Sequence, residues 1–166
     1  MRIKDIMSHP VVTASLGASM DVVARRMWEH NCGAIVIVDE DDRLAGLITD
    51  RDICMAAYTQ GKPLHAIAVT SAMAREVSTC REEDSLHEAE KVMCSRRVRR
   101  VPVVNAHGVP VGMVTMDDLA RNVTGTKGGR KTAQETAVLH TLAAVCGPPS
   151  DRGVESEEHR RKAGGG

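Results

Sequence analysis

"GLITDRDI", residues 46–53, turns a strand pattern into a helix pattern within eight residues. Gly46 closes an apolar run. Thr49 and Asp52 stand three apart, the outline of a helix N-terminal capping box. Taken alone, the stretch is a local corner. Residues 112–119, "GMVTMDDL", carry the same Gly, Thr and Asp at the same spacing, 66 residues on. A strand-to-helix corner written twice raises the question of duplication, which has to be settled before any other reading of the fold.

Residues 7–53 lie over residues 73–119 without a gap. Met7 falls on Met73, Val11 on Val77, Thr13 on Thr79, Ser19 on Ser85 and Met27 on Met93. Val38 falls on Val104, Gly46 on Gly112, Thr49 on Thr115 and Asp52 on Asp118. These nine identities would mean little if scattered. With no gap, and with "AIVIV" over "RVPVV" and "LAGLIT" over "PVGMVT", they indicate a duplicated unit.

Each copy reads as strand, helix, strand, strand, helix. A short extended piece, "PVVT" or "EVST", ends at Thr13 or Thr79. A helix follows from Ser19 or Ser85. Ser85 and Glu88 form a capping box, and Val22, Val23, Arg26 and Met27 follow helical spacing. Two short apolar strands then flank the turns "DEDD" and "NAHG", whose residue types such turns favour. A last helix begins at Thr49 or Thr115. Pro102 and Pro110 predict edge positions or strand starts. The expected class is α+β, with residues 1–60 as the first repeat, 61–72 as a joint and 73–124 as the second repeat. Residues 125–149 should hold a hinge, "GTKGGRK", and an amphipathic C-terminal helix over 132–146 closed by Gly147, Pro148 and Pro149. The polar residues 150–166 are expected to be disordered.

Composition narrows the function. The 166 residues balance 22 basic against 22 acidic side chains, so no global field points to nucleic acid or an anionic membrane. Trp28 and Tyr58 are the only aromatics. The core must be aliphatic, and the scarcity of aromatic rings argues against a base-stacking platform. Cysteines 32, 54, 80, 94 and 146 form no C-x-x-C pair and no zinc-finger spacing, as expected of free thiols in a reducing compartment. The start, "MRIKDIMSHPVV", has no apolar h-region, and no run approaches the roughly 18 apolar residues of a membrane span. The expectation is a cytoplasmic protein without membrane or nucleic-acid partners.

Two ungapped copies of this unit, each ending in G-x-x-T-x-x-D, resemble a tandem cystathionine-β-synthase (CBS) domain pair over about residues 1–124. The resemblance implies two repeats packed by their sheets around a pseudo-twofold axis. It implies two clefts between them for adenine nucleotides, frequent dimerisation, and a regulatory role upon a partner with no catalysis and no obligatory cofactor. The Asp of the motif would accept from the ribose hydroxyls and the Thr would offer its hydroxyl to phosphate, giving Thr49 and Asp52 in one cleft and Thr115 and Asp118 in the other. A carboxylate can take both hydroxyls of a cis-diol, and a helix N-terminus favours an anion. The bland alternative for all four residues is helix capping alone.

Residues 95–104, "SRRVRRVPVV", hold four arginines in five positions. A nucleic-acid patch or a solvated helix end would account for them. The resemblance implies instead that Arg99 and Arg100 face phosphate; alternation sends the two to opposite faces, and of the two the resemblance favours Arg100. Gly33 and Ala34 stand in their place in the first copy, so the clefts should be unequal. Arg51 is a lesser candidate, and its counterpart Asp117 would repel phosphate. Thr13 and Thr79 would line the adenine-ribose pocket, or serve only as β-branched strand residues. Val11, Val77, Ile35 and Val101 read as core. Histidines 9, 30, 65, 87, 107, 140 and 159 form no triad, and Cys32 and Cys94 are candidate exposed thiols. The expected ligand is AMP, ADP or ATP, with NAD or S-adenosylmethionine also compatible. The alternative is a nucleotide-independent dimerisation module.

Overall fold

The computed structural model describes residues 1–123 and 133–146. The first copy folds as β1 (Thr13–Ser15), α1 (Met20–Glu29), β2 (Ala34–Val38), β3 (Leu44–Thr49) and α2 (Asp50–Gln60). The second repeats the order with β4 (Cys80–Arg81), α3 (Leu86–Arg96), β5 (Arg100–Val104), β6 (Pro110–Thr115) and α4 (Met116–Val123). Each makes a three-stranded sheet, β1-β2-β3 or β4-β5-β6, whose first pair is parallel and second antiparallel. Register shifts fall at Ile37/Val38 and at Val103/Val104, the same place in both copies.

Strand alternation builds the layers. Ile35 and Ile37 face the helices of the first lobe, and Val101 and Val103 face those of the second. Val36 and Val38 point the other way and meet Met113 of the second sheet, with Val11, Leu44 and Leu47 at the margin. The sheets therefore pack face to face with helices outside.

The lead-in segments cross over. Ile3, in a 3-10 turn over Ile3–Asp5, is fully buried in the core of the second lobe. Its counterpart Val69, in the turn Val69–Ser71, is fully buried in the first. The hydrogen bonds match: Ile3 N–H donates to Asp84 O at 2.9 Å and Val69 N–H to Ala18 O at 3.1 Å. Ser8 exchanges two bonds with Met113 of β6, and Ala74 exchanges two with Leu47 of β3. This crossing explains the motif glycines. A Cβ on Gly46 would stand 2.8 Å from Met73 Sδ and 2.9 Å from Ala74 O, and one on Gly112 2.5 Å from Met7 Sδ. The repeated Met and Gly are two halves of one contact.

Pro110 opens β6, as expected, whereas Pro102 lies in the central strand β5. Val36, the counterpart of Pro102, donates its N–H to Val12 O at 3.2 Å. Proline has no such donor, and β4 is pared to two residues. The expected ends of the first strands shift accordingly. Thr13 opens β1 instead of ending a strand, and Thr79 lies just before β4.

Helix α5 (Ala133–Cys146) packs on α3 and α4, adding Val138, Leu142 and Val145 to the second core. Apolar residues follow one another too closely along it to gather on one face, so it lacks the expected amphipathic split. The hinge at 125–131, the Gly-Pro-Pro stop and the tail lie outside the described residues. No described helix is long and apolar enough to cross a membrane.

Candidate functional site

Both motif corners close as capping boxes. Asp52 Oδ2 accepts from Thr49 N–H at 2.8 Å and from its hydroxyl at 2.7 Å, while Asp52 N–H donates to Thr49 Oγ1 at 3.3 Å. Thr115 and Asp118 repeat this at 2.8, 2.6 and 3.3 Å. The second carboxylate oxygens differ. Asp118, 3% exposed, accepts at Oδ1 from Arg121 Nη2 at 2.5 Å. Asp52 is half-buried and its Oδ1 accepts no hydrogen bond among the described residues. Asp52 thus keeps a carboxylate oxygen that Asp118 does not, although of the four motif residues only Thr115 lines a cleft between the lobes.

Among the described residues, a pair of clefts between the lobes is related by the 66-residue offset. The first, about 320 Å³, is lined by the lead-in Pro10, Val11 and Val12, by the turn residues 30–34, and by Met113 and Thr115 of the other lobe. The second, about 310 Å³, is lined by the matching Glu76, Val77, Ser78, Arg96 and Val98, with Leu47 of β3 opposite. Both volumes sit at the lower edge of the range for small-molecule pockets, about 300–1,000 Å³. The turns that line them bend through a left-handed residue, Asn31 in one and Arg97 in the other, a conformation that Asn tolerates better than Arg.

Arg100 belongs to both clefts. It starts β5 opposite Thr115, and its Nη1 donates to Gly33 O at 3.2 Å across the lobe boundary. A Cβ on Gly33 would lie 3.0 Å from Arg100 Nη2 and 3.1 Å from Asp50 Oδ2. The small residue at 33 is thus what admits the guanidinium. The expected inequality of the clefts takes a different form: the arginine of the second copy reaches over the gap left in the first.

Of the other candidates, Arg99 and Arg51 are exposed and line neither cleft. Arg51 N–H donates to Asp50 Oδ1 at 2.8 Å, and Asp117 is exposed. Thr13 and Thr79 are half-buried outside both linings; the Thr13 carbonyl accepts from the Arg26 guanidinium. Val11 and Val77 are cleft walls, whereas Ile35 and Val101 are core. Sequence reasoning missed His30 and its counterpart Arg96, and also Glu76. The repeat places 30 and 96 together, but each reads locally as the solvated end of a helix. Among the described thiols Cys54 is exposed, Cys32 and Cys94 are half-buried and Cys80 is buried. Burial pushes the Cys80 thiol up to about 11, with Asp84 and then Glu88 adding to the shift. Among the described residues no His, Cys, Asp and Glu cluster could hold a metal ion.

The CBS domain family model matches twice, over residues 3–58 and 69–125. The chain belongs to the CBS domain family. As a CBS pair it is similar to protein MK0525 of Methanopyrus kandleri, 34% identical over 115 residues, which covers 69% of this chain but 59% of that relative. Among solved structures it resembles the CBS domain pair of protein MJ0100 in complex with 5′-methylthioadenosine and S-adenosyl-L-methionine. That match has a TM-score of 0.70 and 32% identity over 76% of this chain and 98% of the other. It also resembles protein PAE2072 of Pyrobaculum aerophilum complexed with AMP, with a TM-score of 0.65 and 26% identity over 72% and 90%.

Proposed function

We propose that this CBS pair is a regulatory sensor that binds an adenine nucleotide between its lobes and passes the occupancy to a partner protein. The observation that carries the reading is the build of the clefts. Each joins a lead-in, a helix-to-strand turn and the third strand of the opposite lobe, so an occupant touches both lobes and biases their relative placement. Cleft walls such as Val11 and Val77 suit an adenine ring. Asp52 and Asp118 line neither cleft, but Thr115 lines the first and donates to Asp118 at 2.6 Å, which sets the N-terminus of α4, with its N–H donors, beside that cleft. Arg100 supplies positive charge to both clefts. The ligands of the MJ0100 pair and of PAE2072 share an adenosine moiety, which supports AMP, ADP, ATP or S-adenosylmethionine as the class. A thermal-shift panel of these ligands, adenosine and NAD tests the reading. At ligand concentrations a hundredfold above Kd, stabilisation of about 2.7 kcal/mol is expected. No shift with any of them contradicts it.

A second reading, assembly through the helices, is favoured by one observation. Trp28 on α1 and Tyr58 on α2 are 88% and 82% exposed, although they are the only aromatics of the chain. Exposed aromatics are typical anchors of interfaces. α5 already covers the helices of the second lobe, so self-association would use the first. Light scattering of wild type and Trp28→Ala separates dimer from monomer.

A further inference from the structure

The two clefts carry different charges except at one point. The first has His30 and Arg100 in its lining; the second has Arg96, Glu76 and Arg100. Arg100 is the side chain common to both. Arg100 is half-buried, and its guanidinium rests over Gly33 and is tied to that carbonyl at 3.2 Å. Asp50 flanks the same glycine on the first lobe.

A guanidinium is a planar fork that grips two oxygens of one phosphate. It is always charged, so it cannot be recruited by protonation in one cleft and released in the other. A phosphate in either cleft draws the fork toward itself and leaves the opposite phosphate to weaker groups: His30 in the first cleft, or Arg96 beside Glu76 in the second. We propose that Arg100 is a shared phosphate-reading residue that sets the two clefts in competition for anionic ligands. Filling one cleft with an adenosine phosphate weakens phosphate binding in the other. Adenosine, which carries no phosphate, fills both independently. The proposal rests on the nucleotide reading above and adds to it the coupling between sites. Such coupling is reciprocal, so either cleft, filled first, weakens the other by the same factor.

The test is calorimetry on the full chain with AMP and with adenosine. Val11→Trp and Val77→Trp each block one cleft, so that every cleft is measured alone. The second AMP to bind wild type should be about tenfold or more weaker than in the same cleft measured alone, the scale of one charge-assisted hydrogen bond. Adenosine should show no such gap, and Arg100→Ala should remove it for AMP. If a tryptophan variant fails to fold, the ratio of the two stepwise constants is compared between AMP and adenosine in wild type and in Arg100→Ala. The ratios should differ in the first and agree in the second. A gap for AMP that survives Arg100→Ala would assign the competition to repulsion between phosphates and overturn the shared arginine. Two independent AMP sites in wild type would overturn it as well. Absence of binding by both ligands would instead remove the nucleotide reading on which the proposal stands.

Discussion

The two lobes share a backbone plan and differ in what they do with it. The first keeps Val36 in its central strand, Ala24 on α1, Ala14 in β1 and small residues at 33 and 34. The second has Pro102, Glu90, Cys80, Arg99 and Arg100 at the same places. The first leaves its helices open, with Trp28 and Tyr58 in solvent, whereas the second is covered by α5. What both retain is the crossing: lead-in into the opposite lobe, methionine against glycine, threonine capping aspartate. The difference teaches that the contacts which hold the copies together are kept, while strand length, charge and outer surface have diverged around them.

Truncating the exchanged plug breaks this comparison most strongly. Ile3→Ala removes a fully buried side chain of the second core and should cost about 2–5 kcal/mol. Val69→Ala is the matching change in the first. Hydrogen exchange should show the loss first in β4–β6 for Ile3→Ala and in β1–β3 for Val69→Ala. The opposite pattern would contradict the exchange of lead-ins.

Next come the glycines. Gly46→Ala sets a methyl against a backbone carbonyl at 2.9 Å, whereas Gly112→Ala chiefly meets the flexible end of Met7, with Ser8 O at 3.2 Å. Overpacking costs about 1–3 kcal/mol, and urea denaturation should place Gly46→Ala at the upper end and Gly112→Ala below it. Equal losses would mean that the two crossings are equally yielding.

Glu90→Ala should act in the other direction. Glu90 is 5% exposed, its Oε1 has no hydrogen-bond partner among the described residues, and Oε2 stands 3.4 Å from His87 Nδ1. Restoring the alanine of the first lobe removes a buried polar group that costs about 1–3 kcal/mol to leave unpaired, less the cost of the space left behind. A gain of about 1 kcal/mol in thermal unfolding is expected; a net loss would show that the carboxylate is satisfied in solution.

The last effect is absent at neutral pH and emerges only in alkali. The folded Cys80 thiol is raised from 9.0 to about 11, so above pH 9 the unfolded chain gives up this proton first. Its contribution to stability is complete below pH 9 and is lost as pH rises through 11. Cys80→Ala, which again copies the first lobe, should flatten the stability profile between those values. An unchanged slope would refute the assignment.

The duplication was legible because its signals are local: an ungapped repeat, a capping box and turn residues at fixed offsets. The strand order and the Thr–Asp corners followed from them. The exchange of lead-ins was not legible, because Ile3 and Val69 show only that they are apolar, not which core they enter. Met7, Met73, Gly46 and Gly112 did carry the signal, as repeated identities outside the apolar pattern. The shortening of β4 follows from Pro102, but only once the parallel partner of β5 is known. Arg100 was legible as a cation before a strand. That it reaches both clefts depends on the space above Gly33, a property of the packed pair.

On the proposed reading, the clefts take adenosine ligands and Arg100 reads their phosphate. The direct measurement is a pair of calorimetric titrations, AMP and adenosine, on wild type and Arg100→Ala. AMP affinity should fall by about 1.5–3 kcal/mol, the range for a hydrogen bond to a charged group, while adenosine affinity stays the same. An equal loss for both ligands would show that Arg100 supports the fold without reading phosphate, and no loss for either would contradict the account.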